Sequence, residues 1–150
     1  MKSTSTNTAY RLQIKSRTDN LDQARAFVAD TARQFGFTDD DIAKIQLAVD
    51  EACTNIIKHA YKFDPEKLIE ITIQVADAKK ERAKFIIQIQ DTGHSFNYAE
   101  YHEPNMPEYF KKYRVGGLGI LLLKKLMDEV TYNTKPGSPN EVMLIKYIPH

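Results

Sequence analysis

The chain has 150 residues with 21 basic and 20 acidic side chains, and the resulting net charge of +1 argues against a protein that binds nucleic acid by bulk electrostatics. This length is typical of one domain that buries a sizeable core without disulfides or metals. No apolar run approaches the roughly 20 residues that span a bilayer, the N-terminus lacks a secretory pattern and there is one cysteine, so we expect a soluble cytoplasmic protein with no membrane contact.

The first part of the chain predicts a strand followed by two helices. Residues 1–9 are rich in Ser, Thr and Asn and predict a loose tail before a single domain over 10–150. Alternating apolar residues predict a strand over 10–14. Apolar residues at helical spacing predict a helix over 20–36, capped by asparagine and ended by glycine, and a second over 38–61 with three aspartates in its first turn.

The second part predicts four more strands, an irregular loop and a third helix. Residues 97–115 follow neither the helical nor the strand period and predict an irregular loop, and a helix is predicted over 119–130. This order predicts an α+β two-layer sandwich, with one mostly antiparallel mixed sheet and helices on one face. The four strands are predicted at 69–75, 85–89, 131–134 and 142–148.

The first polar cluster is Glu51 with Asn55, which share one face of the second predicted helix because they are four residues apart. The carboxylate could serve as a general base, and the amide oxygen suits Mg²⁺ when phosphates and waters complete the octahedron. The alternative is an ordinary solvated helix face. His59, one turn further on, is interpreted as a structural histidine.

The second cluster is Asp91-Thr92-Gly93, at the end of a predicted strand. An aspartate that caps its own backbone before a glycine is typical of an ordinary turn. The same carboxylate could accept a hydrogen bond from a ligand amine, and Gly93 would let a flat ring approach the backbone. This cluster alone does not choose between the two interpretations.

The third cluster is Gly116-Gly117-Leu118-Gly119, directly before the third predicted helix. Free backbone N–H groups at a helix start form an anion cradle, and a flexible hinge is the alternative. Five of the fifteen aromatic residues fall within 97–115, which predicts a lid that closes on a ligand or partner. Three basic side chains upstream could reach a phosphate or be merely solvated: Lys111, Lys112 and Arg114.

The three clusters, in this order, resemble the ATP-binding fold of the GHKL superfamily, which groups gyrase, a heat-shock chaperone, histidine kinases and a mismatch-repair protein. The resemblance covers residues 10–148. The details are most similar to the anti-sigma factor serine/threonine kinases. LAVDEACTNIIKHAY resembles their first ATP-binding box, and GGLGILLLKKLMDEV resembles their last.

The resemblance implies a role for each cluster. Glu51 would activate a hydroxyl group, and Asn55 would hold Mg²⁺ against the phosphates of ATP. Asp91 would bind the adenine amino group, and Gly93 would make room for the base. The residues implied to lie against the phosphates, under the lid, are Gly117, Leu118 and Gly119.

The sequence departs from the family pattern at two places. Ser95, preceded by His94, stands where a further small residue is frequent, which leaves the local backbone path open. Asn140 stands near the final strand, where many members have a threonine close to the adenine. The contact that Asn140 makes is left open.

The resemblance implies a protein serine/threonine kinase of the partner-switching type. Such a protein would bind ATP and Mg²⁺, hold a sigma factor inactive, phosphorylate a small antagonist protein and pair as a homodimer, without contacting nucleic acid directly. One alternative is a nucleotide-dependent binding protein of the same fold without phosphoryl transfer. Another is an α+β interaction domain without a nucleotide site.

Overall fold

The computed structural model describes residues 9–77, 82–93, 120–135 and 137–149. The predicted lid and the glycine-rich cluster therefore lie outside the described residues, as does nearly all of the predicted tail. The elements are strand β1 Tyr10–Lys15, a 3₁₀ turn Thr18–Asn20, helix α1 Leu21–Gln34, helix α2 Asp39–Asn55, a π-helical turn Ile56–Ala60, β2 Leu68–Ala76, β3 Lys84–Asp91, α3 Ile120–Leu126, β4 Glu129–Asn133 and β5 Asn140–Tyr147.

The five strands form one sheet in the order β1-β2-β3-β5-β4, and each of its four pairings is antiparallel. Successive side chains of a strand point to opposite faces, so every second residue of β3 faces the core. Phe85, Ile87 and Ile89 form this buried row, and Asp91 continues it at the end of the strand with 6% of its surface exposed. The two-residue period of the strand therefore explains why the Asp91 carboxylate is buried. The sheet and its helices confirm the predicted α+β class.

The core lies between the sheet and the helices. The Thr38 hydroxyl accepts a hydrogen bond from the Asp41 amide at 3.1 Å, which confirms the predicted start of α2. Among the described residues, no helix has the length and apolar character needed to cross a membrane. The apolar side chains of α2 that join the core recur at helical spacing, as expected for an amphipathic helix: Ile42, Ile45, Val49 and Cys53.

The third helix is shorter than the sequence predicts. It ends at Leu126, and residues 129 and 130, which were expected to be helical, belong to β4. The backbone N–H of Asp128 donates to the carbonyl of Ile145 at 2.9 Å, so the chain joins the neighbouring strand directly after the helix. Pairing of residues 129 and 130 with β5 thus outweighs their local helix propensity. This tertiary effect cannot be seen in a single sequence.

Asn20 does not cap α1 as the sequence predicts. Asn20 precedes α1, but its side chain makes no hydrogen bond to the helix. The side-chain amide instead donates to the carbonyl of Lys15 at 3.0 Å, which ties the start of α1 to the end of β1. The residue is therefore in the predicted place but stabilises the connection rather than the helix end.

Candidate functional site

Helix α2 carries the first predicted pair, Glu51 and Asn55, and their side-chain oxygens are buried. Glu51 is 8% exposed, although it lies off the apolar stripe of the helix. Oδ1 of Asn55, one turn later, is also buried and accepts no hydrogen bond from any described residue. A solvated helix face does not fit these positions, because a buried polar oxygen without a donor is destabilising unless a ligand or water completes it.

This donor set fits a magnesium ion that is shared with a phosphate ligand. Mg²⁺ prefers hard oxygen donors and usually keeps several waters, so it needs only one or two protein oxygens. The buried Oδ1 of Asn55 supplies such an oxygen, and Glu51 places a carboxylate one turn away. Within the described ranges, no group of three or more His, Cys, Asp or Glu side chains is placed to hold a metal ion.

The end of the long helix is not α-helical. Residues Ile56–Ala60 form a π-helical turn, closed by a hydrogen bond from the Tyr61 amide to the Ile56 carbonyl at 2.9 Å. Such turns are rare and occur frequently at functional sites. His59 lies in this turn and is partly buried, and its interpretation as a structural residue stays a prediction.

The Asp91 carboxylate is held in one orientation by two donors. Its Oδ1 accepts hydrogen bonds from the Gly93 backbone N–H and from the Asn140 side-chain amide, each at 2.9 Å. Neither bond uses Oδ2. Burial raises the pKa of the Asp91 carboxyl above the ordinary aspartate value, and the bonds from Asn140 and Gly93 offset this rise only in part.

Asn140 is the site residue whose role the sequence left open. It begins β5 directly opposite Asp91 in the β3–β5 register and is 8% exposed. The same amide nitrogen that donates to Asp91 also donates to the Gly93 carbonyl at 3.1 Å. Asn140 therefore stabilises both the carboxylate and the turn that follows it.

Gly93 is required by packing between the end of β3 and the π-helical turn. A Cβ atom at this position would lie 2.4 Å from the carbonyl oxygen of Ala60 and 2.8 Å from Cδ1 of Tyr61. The space beside its Cα atom is thus occupied by protein. The role in accommodating a base, which the resemblance implies, is a separate matter and stays a prediction.

A cavity of about 380 Å³ opens beside this turn. Positively and negatively charged side chains line the cavity, together with Thr92 and Gly93 of the turn that follows β3, which we call the Asp91 turn (residues 91–93). Its lining residues are Ala60, Tyr61, Lys62, Asp64, Lys67, Thr92 and Gly93.

The structure brings the first two clusters into one region of the fold. The helix that carries Glu51 and Asn55 runs into the π-helical turn, and that turn packs against Gly93. The third cluster is not described, so the places of Gly117, Leu118 and Gly119 and of the basic residues before them remain predictions.

Comparison with known proteins identifies the family to which this arrangement belongs. The sequence model of the histidine kinase-like ATPase domain matches residues 14–146. The chain belongs to this family. The match spans most of the chain, including the segments that carry Glu51, Asn55 and Asp91.

Relatives of this histidine kinase-like ATPase domain are serine-protein kinases. RsbW of Staphylococcus epidermidis is 32% identical over 149 residues, which cover 96% of this chain and 89% of the relative. RsbW of Staphylococcus aureus is 33% identical over 143 residues, covering 91% and 85%. RsbW of Bacillus subtilis strain 168 is 29% identical over 142 residues, covering 91% and 84%. At this similarity the chain is a protein kinase of the serine/threonine class.

A solved structure shows the same fold. The RsbU and RsbW domains of a Mycobacterium tuberculosis protein match with a TM-score of 0.61 at 16% identity. The match covers 94% of this chain but 32% of that longer chain. At this identity the likeness concerns the fold alone, and it agrees with the sheet and helices described above.

Proposed function

We propose that this kinase domain binds ATP with Mg²⁺ and transfers the γ-phosphoryl group to a serine or threonine of a small antagonist protein. The observation that carries the proposal is the buried Glu51 carboxylate one turn before Asn55, whose buried Oδ1 accepts no hydrogen bond from the described residues. Phosphoryl transfer needs mainly positioning and charge stabilisation, and these two groups supply a base and a metal ligand.

In the proposed reaction, Glu51 accepts the proton of the substrate hydroxyl. The hydroxyl oxygen forms a bond to the γ-phosphorus, the bond to the β,γ-bridging oxygen breaks, and ADP leaves with that electron pair. Asn55 would hold Mg²⁺, which neutralises charge on the phosphates when bound. A positioned general base contributes on the order of 10²–10⁴-fold to such a reaction.

Asp91 would bind the other end of the nucleotide. A carboxylate whose Oδ1 is occupied by Gly93 and Asn140 can direct Oδ2 to an amino group such as that of adenine. The predicted lid over 97–115 would close on the nucleotide. The predicted phosphate contacts complete the proposed site: Gly117, Leu118 and Gly119.

We further propose that the protein is an anti-sigma factor in a partner-switching module. In this module it would hold a sigma factor inactive, and the antagonist would release that factor until it is phosphorylated. The support is the family resemblance and the similarity to RsbW kinases over most of the chain. A sigma factor as partner would place the protein in the cytoplasm, and pairing as a homodimer belongs to the same proposal.

The test begins by purifying the protein with its partners from the native cell and mapping phosphosites on the small antagonist. Wild-type protein, Mg²⁺ and ATP should then phosphorylate the purified antagonist at that site. We expect Glu51→Gln to slow transfer by about 10²–10⁴-fold while ATP still binds, because the amide keeps the shape but accepts no proton.

Glu66→Gln is the matched control, because Glu66 is an exposed carboxylate paired with Lys15 and Arg17 on the surface. It should transfer phosphate at the wild-type rate. Unchanged transfer in Glu51→Gln would contradict the proposed base. Tight ATP binding and sigma factor binding without any transfer by the wild type would instead favour the nucleotide-dependent binding protein.

A further inference from the structure

The Tyr61 phenol joins three elements at the Asp91 end of the site. Tyr61 follows the π-helical turn and is 6% exposed. Its hydroxyl donates to the Leu68 carbonyl, at the start of β2, at 2.5 Å. The same oxygen accepts a hydrogen bond from the Thr92 backbone N–H at 2.9 Å. A phenol has one proton, so giving it to Leu68 leaves the oxygen lone pairs for Thr92.

These bonds act on the peptide unit that directly follows Asp91. The Thr92 N–H belongs to that unit, so the bond to Tyr61 fixes the backbone on one side of the aspartate. On the side-chain end, Gly93 and Asn140 hold Oδ1. The Asp91 turn is thus held from the helix side by Tyr61 and from the β5 side by Asn140.

We propose that Tyr61 is a positioning residue that sets the preference of the site for adenine over guanine. The inference rests on the proposed function, in which Asp91 accepts a hydrogen bond from the adenine amino group. Adenine presents an amino donor where guanine presents a carbonyl acceptor. A carboxylate rejects the carbonyl strongly only when it is held in place, because a mobile carboxylate can turn away from it.

The test uses Tyr61→Phe, which keeps the ring and removes the hydroxyl. We expect the dissociation constant for ATP to rise about three- to tenfold, the range expected for loss of the one hydrogen bond that holds the Thr92 amide, while that for GTP changes less. The ATP-over-GTP preference should fall accordingly. The kcat at saturating ATP should stay at the wild-type value, because Glu51 and Asn55 lie on α2 before the π-helical turn.

Tyr147→Phe is the matched control. The Tyr147 hydroxyl donates to Oε2 of Glu129 at 2.8 Å, at the end of the sheet opposite to Asp91. Its removal deletes the same atom and one hydrogen bond at the other end of the sheet. It should leave the ATP-over-GTP preference unchanged.

The outcomes separate this inference from the proposed function. A wild-type preference in Tyr61→Phe, with the preference lost in Asp91→Asn, would overturn the role of Tyr61 and leave the proposed function standing. A preference that survives in Asp91→Asn, or no nucleotide binding by the wild type, would overturn the proposed function itself.

Amide hydrogen exchange of the wild type gives a second measurement that needs no variant. The Thr92 amide should be protected, although it lies beyond the last residue pair of the β3–β5 ladder. Exchange of Thr92 at the rate of an unstructured amide would overturn the proposal, whether or not Tyr61→Phe folds.

Discussion

Asp91, a residue of the candidate site, lowers the stability of the fold when its carboxyl group is ionised. The folded state raises the pKa of this carboxyl through burial, so it binds the proton more tightly than the unfolded state does. The contribution of Asp91 to the free energy of unfolding is therefore largest at low pH and is lost as the pH rises through the folded pKa. Above the folded pKa, the fold carries a buried charge that serves the proposed adenine contact rather than stability.

Asp91→Asn should accordingly raise the melting temperature at neutral pH. The asparagine oxygen can still accept the hydrogen bonds from Gly93 and Asn140, but it carries no charge. The difference should shrink as the pH falls toward the ordinary pKa of aspartate, about 4, because the wild type then becomes neutral as well. Thermal melts of both proteins across this pH range provide the measurement.

Asp30→Asn is the control for this prediction, because Asp30 is an exposed carboxylate on α1 that pairs only with Arg33 among the described residues. Its substitution should leave the pH dependence of the melting temperature close to that of the wild type. A lower melting temperature of Asp91→Asn at neutral pH would contradict the sign derived from burial.

At the scale of elements, the site depends on the close approach of a helix end and a strand end. The π-helical turn places the Ala60 carbonyl where a side chain at position 93 would begin. Because protein interiors are close-packed, such an approach tolerates no added atom without movement of one backbone against the other. This contact therefore fixes how closely the end of the π-helical turn approaches the end of β3.

Gly93→Ala should therefore lower both stability and ATP affinity. The added Cβ atom meets a backbone carbonyl rather than a flexible side chain, and we expect a loss of about 1–3 kcal/mol in the free energy of unfolding. Denaturant unfolding and ATP titration measure the two effects.

Gly36→Ala is the control that distinguishes a general loss of stability from a change in the geometry of the site. Gly36 has a φ of +84° after α1, and no atom lies within 4 Å of the position that a Cβ atom would take, so alanine there is strained but does not clash. It should lose about 1–2 kcal/mol of stability and keep its ATP affinity. Equal ATP affinity in Gly93→Ala and the wild type would contradict the proposed role of the helix–strand contact.

At the scale of the whole molecule, the helices and the sheet share one core, and the single cysteine lies inside it. Cys53 is fully buried on α2, between Glu51 and Asn55 in sequence. Burial raises the pKa of its thiol to about 12, with a smaller contribution from the charge of Asp50. The thiolate that reacts with labelling reagents is therefore nearly absent in the folded state.

Cys53 should react with an aromatic disulfide reagent only when the core opens. When reclosing is faster than labelling, the rate follows the open population, and a ligand that binds only the folded state lowers that population. Magnesium and ATP at about 100 times the dissociation constant should slow labelling by roughly 100-fold. Labelling at the rate of a free thiol, or labelling that nucleotide does not slow, would contradict this prediction. It would show that the core around Cys53 opens without disturbing the nucleotide site.

Local patterns predicted the order of the helices and strands, and they placed Glu51, Asn55 and Asp91 on the elements where the structure has them. The four-residue spacing of Glu51 and Asn55 requires only a helix to bring them together, and an aspartate before Thr92-Gly93 requires only a strand end. The end of α3 was predicted four residues late because pairing of β4 with β5 decides it.

The sequence by itself therefore determined the fold class, the family resemblance and the polar clusters, because each depends on neighbours within a few residues. Only the tertiary structure decided that Asn140 holds Asp91, that Tyr61 holds Thr92 and that Gly93 makes room for Ala60. These pairs lie 31 to 49 residues apart in the chain, and strand register and helix packing bring them together. No local periodicity encodes such contacts, since they depend on how complete elements pack.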